Sequence, residues 1–267
     1  PLEGDPRMMM MTQNRAAGQP WVAAMQLRQA FGLRQVPLNA QVIDPEIQVL
    51  LVAHAQGLSD NTLYAIDQFV MRGGRLMAMV DPHSEAQGAV ANPQTGQPPS
   101  DTASNLARLF DAWGVVFDGS QITGDLKGAW RVRAAPGDRA QTVDYIAWFN
   151  IRDGLNTNDP ATVELTQVTV ASAGSLSKKE GASIEFTPLL TSSEMSGLVA
   201  LDKVKSFPDP GKVLAEFRPD GQRRVIAARV RGELVSAFAA APPPPADAKE
   251  PVTLPEHRAK TAGAANM

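Results

Sequence analysis

The stretch IQVLLVAHAQGLSDNTLYAIDQFVMRGGRLMAMVDPHSE, residues 47–85, has the clearest secondary-structure pattern in the chain. It opens with a nearly unbroken apolar run, residues 47–53, typical of a strand buried on both faces of a parallel sheet. A second apolar run, residues 75–80, follows after a segment long enough for a helical crossover. Such crossovers join parallel strands in a right-handed sense. The pattern therefore predicts a right-handed strand–helix–strand unit.

The segment between the two apolar runs has the expected signals of a helix at both of its ends. Ser59 is a suitable N-cap, and Asp60 lies in the first turn, where the helix dipole favours an acid. Apolar residues then recur at helical spacing. Gly73 and Gly74 provide the left-handed conformation that ends many helices. These glycines follow the helix, so they cannot form a phosphate-binding loop at its N-terminus.

Composition excludes several classes of protein. The 267 residues include enough apolar side chains for a sizeable core, and the net charge of −3 gives no overall basic field for nucleic acid. No run approaches the ~18 apolar residues of a membrane-spanning helix. The chain contains no cysteine, which excludes disulfides, zinc–thiolate sites and thiol nucleophiles. The absence of cysteine fits both oxidising and reducing compartments, so it does not indicate a location.

Residues 1–120 are predicted to form an α/β sheet domain around the strand–helix–strand unit. Helices are predicted at residues 20–31 and 101–113, each ending at a glycine. Short strands are predicted at residues 33–38 and 115–117.

The pattern changes near residue 121. Residues 121–239 are predicted to form an antiparallel, β-rich section packed on or inserted into the first domain. A turn signal, Pro219-Asp220-Gly221, predicts a hairpin, and residues 240–267 form a Pro/Ala-rich linker or tail, expected to be largely extended or disordered. The predicted strands of the β-rich section are residues 130–134, 143–151, 163–171, 184–190, 212–217, 224–230 and 234–238.

The predicted fold class is therefore α/β: an open, mainly parallel sheet of flavodoxin-like topology, flanked by helices, with an added antiparallel β-rich section. Such sheets bind ligands beyond the carboxyl ends of their strands. Here those ends carry His54, Asp81 and His83, which are the candidate ligand-binding residues. A metal or acid/base site is one interpretation; the other is that Asp-Pro forms an ordinary turn and the histidines are solvated.

No catalytic motif supports the first interpretation. The phosphate-binding patterns GxGxxG and GxxxxGK[ST] are absent, and so is the nucleophile elbow GxSxG. We therefore predict no catalytic residue, no cofactor and no bound metal, and the least favoured hypothesis is a hydrolase that uses Asp81 and His83 with a metal ion.

Three stretches resemble the GldG-like auxiliary components of ABC transport systems, a family associated with gliding motility. The most specific is LLVAHAQGLSDNTLYAIDQFVMRGGRLMAMVDP, residues 50–82. Two supporting stretches follow in the expected order: FTPLLTSSEMSGLV, residues 186–199, and VIAARVRGELVSAF, residues 225–238, just before the Pro-rich segment.

The resemblance implies a fold similar to the glutamine-amidotransferase-like and ThuA-like α/β domains. Enzymes of that group use a cysteine nucleophile, which this chain lacks, so the resemblance carries over no catalytic residue. It also implies a membrane-anchored protein whose soluble region lies on the periplasmic or extracytoplasmic face of a bacterial inner membrane, beside ABC permease and ATPase subunits. The leading hypothesis is a non-enzymatic domain that binds a partner subunit or an extracellular ligand.

The alternative hypothesis is a carbohydrate-binding module of the same fold. Aromatic rings stack on sugars, but Trp21, Trp113 and Trp148 lie on predicted apolar faces, where core packing is the commoner role. Trp130, beside Arg131 and Arg133, is the tryptophan expected to be exposed.

Overall fold

Most strands of the protein pair antiparallel, in several small sheets. The computed structural model describes residues 19–89, 97, 99–133, 142–205, 208–244, 252–261 and 263–267. The prediction of an open, mainly parallel, flavodoxin-like sheet flanked by helices is wrong. Within the described residues a parallel pair forms at one place, and the other strands form antiparallel ladders instead of extending that pair.

The strand–helix–strand unit itself is confirmed. Strand β1 (Val49–Ala53) pairs in parallel with β2 (Arg75–Met79), and helix α2 (Asp60–Met71) connects them. The side chain of Ser59 accepts a hydrogen bond from the Thr62 amide and caps the helix, as the sequence predicts. Gly73 has φ +94°, the left-handed conformation that ends the helix. The helix covers one face of the two-stranded sheet, where Leu50 and Leu76 are buried.

The remaining helices are short. Helix α1 (Val22–Ala30) lies close to the helix predicted at residues 20–31. The helix predicted at residues 101–113 begins only at residue 107. The residues before it are extended, because the amide of Ser104 bonds to the carbonyl of Asp81 and that of Asn105 to Ala55. The bounds are α1 (Val22–Ala30), α3 (Glu85–Gly88), α4 (Ala107–Ala112), a 3-10 turn (Leu201–Lys203) and α5 (Pro210–Glu216).

The strands after residue 114 form three antiparallel sheets. The largest has the order β12-β11-β8-β3, and β9 also pairs with β11; a second has the order β5-β6-β7, and β4 pairs with β10. The bounds are β3 (Val115–Phe117), β4 (Gln121–Asp125), β5 (Ala129–Arg133), β6 (Thr142–Ile151), β7 (Val168–Ala171), β8 (Leu176–Lys178), β9 (Glu185–Thr191), β10 (Ser196–Ala200), β11 (Val225–Gly232) and β12 (Ala265–Asn266).

Several of the predicted strands are wrong. Residues 33–38 and 234–238 are not strands, and residues 212–217 belong to helix α5. The helix forms because Asp209 caps it and Pro210 occupies its first turn, where a missing amide hydrogen costs nothing. The predicted hairpin is therefore absent, and Gly221 instead lies between α5 and β11. Strands β4 and β10 were not predicted.

Two hydrophobic clusters form the core. The larger joins α2 and α4 to the parallel strands and the largest antiparallel sheet, with Phe69, Trp113 and Val230 among its buried members. The smaller lies between β4, β6, β10 and α5, around Ile122 and Ile146. The β-rich section therefore contributes to the core that surrounds α2 and also has a core of its own.

The C-terminal residues that the structure describes pack against α2 and β11. Strand β12 pairs with the end of β11, and Val230 exchanges two backbone hydrogen bonds with Met267, of 2.7 and 2.9 Å. Thr261 and Ala265 are buried. These contacts lie within the stretch predicted as a linker or tail, so part of it is ordered against the body of the protein.

Two buried polar residues of α2 hold this C-terminal region. The carboxylate of Asp67 accepts hydrogen bonds from the amide of Ala237 at 2.9 Å and the hydroxyl of Ser236 at 2.7 Å. The side chain of Gln68 accepts from the amide of Arg258 at 2.8 Å and donates to its carbonyl at 3.0 Å. Both side chains are almost fully buried, so these bonds are shielded from water.

Replacing Asp67 with Ala should lower the free energy of unfolding by about 2 kcal/mol, because the amide of Ala237 would lose its acceptor and the hydroxyl of Ser236 would keep only the carbonyl of Phe238. Urea denaturation measures the loss. Asp202→Ala, at an exposed position, is the control and should change stability by no more than about 0.5 kcal/mol. Equal stability of the two variants would contradict the anchoring role of Asp67.

Candidate functional site

The three candidate residues predicted from the sequence lie together at the carboxyl ends of β1 and β2. The amide of His54 donates to the carbonyl of Met79 at 3.0 Å, which holds the end of β1 beside the end of β2. Asp81 and His83 follow β2 directly. The charges of His54 and His83 both act on Asp81, which places the three side chains in one polar cluster.

His83 is the most buried of the three, with 6% of its surface exposed. Its Nδ1 lies 2.6 Å from the hydroxyl of Thr102, and its Nε2 lies 3.7 Å from a carboxylate oxygen of Glu85. Burial lowers the pKa of His83 below its ordinary value of 6.5, because the charged imidazolium loses hydration. The positive charge of Lys205 also lowers it, while Glu85 and Asp81 oppose this shift.

His54 has a left-handed backbone, with φ +56°, a conformation that is uncommon outside glycine. Its Nε2 lies 2.9 Å from the side-chain oxygen of Gln87. The side-chain Nε2 of Gln87 donates in turn to the side-chain oxygen of Gln56 at 3.0 Å. The Nδ1 of His54 is buried and has no hydrogen-bond partner among the described residues.

Asp81 is fixed mainly through its backbone. Its amide donates to the hydroxyl of Ser104 at 2.9 Å, and its carbonyl accepts from the Ser104 amide at 2.8 Å. Burial raises the pKa of the Asp81 carboxyl above its ordinary value, although the nearby histidines His54 and His83 lower it.

Glu85 is the member of the cluster that sequence reasoning missed. One of its carboxylate oxygens accepts from the indole N–H of Trp148 at 2.8 Å and also from the hydroxyl of Ser172. Burial and the charge of Glu85 raise the pKa of Tyr145, whose buried hydroxyl has no partner among the described residues. Glu85 therefore joins the first turn of α3 to the β6–β7 sheet.

No local sequence signal indicates this connection. Ser84 caps α3 and places Glu85 in its first turn, which the sequence allows one to expect. The partners of Glu85 come from β6 and from the end of β7, 63 and 87 positions further along the chain. Their proximity depends on how the sheets pack.

The geometry of the cluster favours structural bonding over catalysis. The polar groups of His83 and Glu85 are bonded to one another or to neighbouring elements, and the hydroxyl that contacts His83, that of Thr102, is buried with it. Among the described residues no group of three histidine, aspartate or glutamate side chains converges as metal ligands do. The metal-dependent hydrolase hypothesis has no support in this geometry.

The tryptophans differ in exposure. Trp113 is buried in the larger core, as the sequence predicts. Trp130 is 42% exposed, also as predicted, and its ring contacts that of Trp148 edge to face at 6.3 Å between centroids. Trp21 is 52% exposed, so the prediction that it faces a core is wrong.

The polar cluster does not by itself identify a class of protein. The class therefore comes from comparing the whole sequence with known families. The family model described as the auxiliary component of an ABC-type uncharacterized transport system matches residues 2–267. The chain belongs to this family, which is consistent with its resemblance to GldG-like auxiliary components. No curated protein and no solved structure shows significant similarity to the chain. None of the helices that the structure describes is long and apolar enough to cross a membrane.

The free energy of unfolding should decrease as the pH is lowered from 7.5 to 5.5. The unfolded chain binds a proton at His83 near pH 6.5, whereas the folded protein resists protonation there because burial lowers the pKa of His83. The stabilising contribution is present above pH 6.5 and is lost as the pH falls below that value. His83→Gln should reduce this loss, measured by urea denaturation at both pH values.

His257→Gln is the matched control, since it removes an imidazole outside the cluster, beside Tyr64. The pH dependence should change more in H83Q than in H257Q. Identical pH profiles for wild type and H83Q would show that burial of His83 does not control this transition.

Proposed function

We propose that this chain is a non-enzymatic, extracytoplasmic domain of the auxiliary subunit of an ABC transport system, and that it binds the permease subunit and through it the ATPase. Family membership supports the association with an ABC transport system. The extracytoplasmic location, the absence of catalysis and the binding surface go beyond what family membership supports. In the cluster at the carboxyl ends of β1 and β2, hydrogen bonds link Glu85 and His83 to neighbouring elements, which is the arrangement of a structural joint.

The observation that carries the proposal is an uncovered apolar face on the β1–β2 sheet. Helix α2 covers the face that contains Leu50 and Leu76, while Met77 is 53% exposed and Met79 is 45% exposed on the other face. Val49 is exposed on the same face, and Leu51 pairs with Met77. Parallel strands are usually covered on both faces. An apolar face left open is typical of a surface that another protein covers.

Methionine suits such a contact, because its flexible, polarizable side chain adapts to an irregular partner surface. The permease is the partner we favour, since an auxiliary component acts beside it. The resemblance to anchored family members supports the extracytoplasmic location, and protease added to intact spheroplasts should digest this domain of the full-length protein. Full protection from the protease would contradict the location.

Glutamate substitutions at both methionines should sharply reduce recovery of the transporter. The full-length protein would be purified from native membranes, and the accompanying permease and ATPase subunits would be quantified by mass spectrometry. Wild type should bring down both subunits, and Met77→Glu with Met79→Glu should bring down at least about tenfold less, because two charges would be buried against an apolar partner.

The matched control places two glutamates at exposed apolar positions elsewhere, Met195→Glu with Leu198→Glu. Its recovery of the transporter should equal that of wild type. Equal recovery with both double variants would refute the β1–β2 face as the interface. Failure of wild type to recover either transporter subunit would refute the partner itself.

A carbohydrate-binding role is the second candidate, favoured by the exposed ring of Trp130. Its indole N–H donates to the side chain of Asn150 at 3.2 Å, which holds the ring in place on the surface of β5. Titration with a glycan panel should then change tryptophan fluorescence in wild type and in Trp21→Ala, but less in Trp130→Ala. A flat response across the panel would eliminate this role.

A further inference from the structure

A cleft of about 600 Å³ opens at the amino ends of β1 and β2, at the opposite end of the strands from the polar cluster. It lies where the end of α2 turns back into β2, and the C-terminal segment forms one of its walls. The residues that line it are Pro45, Ile47, Gln48, Phe69, Arg72, Gly73, Gly74, Arg75 and Arg258.

The charged residues of this lining are all arginines: Arg72, Arg75 and Arg258. None of the three guanidinium groups forms an ion pair or hydrogen bond with any residue that the structure describes. Arg72 is half-buried, and burial lowers its pKa, as does the positive charge of Arg258 nearby. Among the described residues that line the cleft, three cations of like charge therefore share one concave surface without a carboxylate, in a protein whose net charge is −3.

Two acids at the edge of the cleft are paired with an arginine outside it. Asp44 and Glu46 flank Pro45 at the edge of the cleft, and both form ion pairs with Arg34. The distance between Arg34 Nη2 and the carboxylate of Glu46 is 3.1 Å. Arg34 offsets one of these two negative charges, and the three arginines of the cleft outnumber the charge that remains.

Buried bonds fix the walls of the cleft. The side chain of Gln68 binds both the amide and the carbonyl of Arg258, so the backbone of that residue is held against α2. Arg72 is the C-cap of α2, and Arg75 opens β2. Gly74 allows close packing, since a β-carbon there would lie 2.4 Å from the ring of Phe69. Three guanidinium groups on such anchored backbones form a preorganised positive surface.

We propose that this cleft binds a ligand with at least two phosphate-type acidic groups. Guanidinium is planar and offers paired N–H donors that match phosphate oxygens, so it is the side chain suited to binding phosphates at two points. A volume of about 600 Å³ lies within the range of small-molecule sites and exceeds the size of a single phosphate. Pro45 and Ile47 provide an apolar surface for the body of the ligand.

The cleft adjoins the proposed partner-binding face, because Arg75 lies on the same side of β2 as Met77 and Met79. Arg72 and Arg258 are not part of β2, so the variant that changes these two residues leaves that face intact. Met77 and Met79 lie further along β2, beyond its first residue, Arg75. The amides of Gly73 and Gly74 are bonded to carbonyls of α2, so the cleft binds through its side chains and not through a backbone phosphate loop.

Inorganic pyrophosphate is the probe, titrated into the chain by calorimetry in a buffer of low ionic strength without phosphate. Pyrophosphate should bind wild type, and Arg72→Gln with Arg258→Gln should weaken binding by at least about tenfold, because charge-assisted hydrogen bonds are lost. Added sodium chloride should also weaken binding, as expected for an accessible charged site.

The matched control removes two exposed arginines outside the cleft, Arg133→Gln with Arg152→Gln, so that the net charge changes equally. It should retain the affinity of wild type. Arg75→Gln is a second cleft variant at an exposed position and should also weaken binding, so the test does not depend on the folding of one variant. Thermal unfolding verifies that each variant is folded.

Two sources of the ligand are separated with vesicles. Wild type would be mixed with vesicles of phosphatidylcholine that do or do not contain cardiolipin. Cardiolipin-dependent binding that pyrophosphate displaces and R72Q/R258Q loses supports a lipid headgroup as the source. Pyrophosphate binding without vesicle binding supports a soluble phosphorylated ligand. Absence of both, or equal loss in R72Q/R258Q and R133Q/R152Q, would overturn the proposal.

Discussion

Two adjacent buried side chains on helix α2, Asp67 and Gln68, hold distant parts of the chain together. Their partners, Ser236, Ala237 and Arg258, lie about 170 to 190 positions away. The residues after β11 return to α2 through these bonds and through apolar packing, because Leu234, Phe238 and Ala265 are buried in the larger core. The larger core and the wall of the arginine cleft both depend on this return. Burial of the Asp67 and Gln68 side chains raises the cost of breaking these bonds, because water cannot replace a lost partner there.

The two ends of the β1–β2 sheet differ in chemistry. At the carboxyl ends, His83 and Glu85 are bonded to loops and to the β6–β7 sheet, and their polar atoms are occupied. At the amino ends, Arg72 and Arg258 have no such partners among the described residues. A flavodoxin-like fold binds its ligand at the carboxyl ends of the strands. In this protein the polar groups of His83 and Glu85 at those ends are already bonded to neighbouring elements. The open apolar face carrying Met77 and Met79 lies between the two ends and suits a protein partner.

Local patterns predicted the strand–helix–strand unit, including its cap at Ser59 and its end at Gly73, because these signals depend on residues close in sequence. They did not predict the sheet topology. A parallel pair does not indicate how many strands follow, and Pro210 after Asp209 begins a helix in a run that alternation alone favours as a strand. The grouping of His54, Asp81 and His83 was predictable from strand ends. The roles of Glu85 and Arg258 were not, because their partners come from remote segments.

Bonds to α2 order the C-terminal region, and hydrogen–deuterium exchange at single amides measures this ordering. The amides of Ala237 and Arg258 bond to the buried side chains of Asp67 and Gln68. They should exchange slowly, with protection comparable to that of Val230 in β11, whose amide bonds to Met267. Exchange at the rate of an unstructured peptide for Ala237 and Arg258, while Val230 stays protected, would contradict the account and return this region to a free tail.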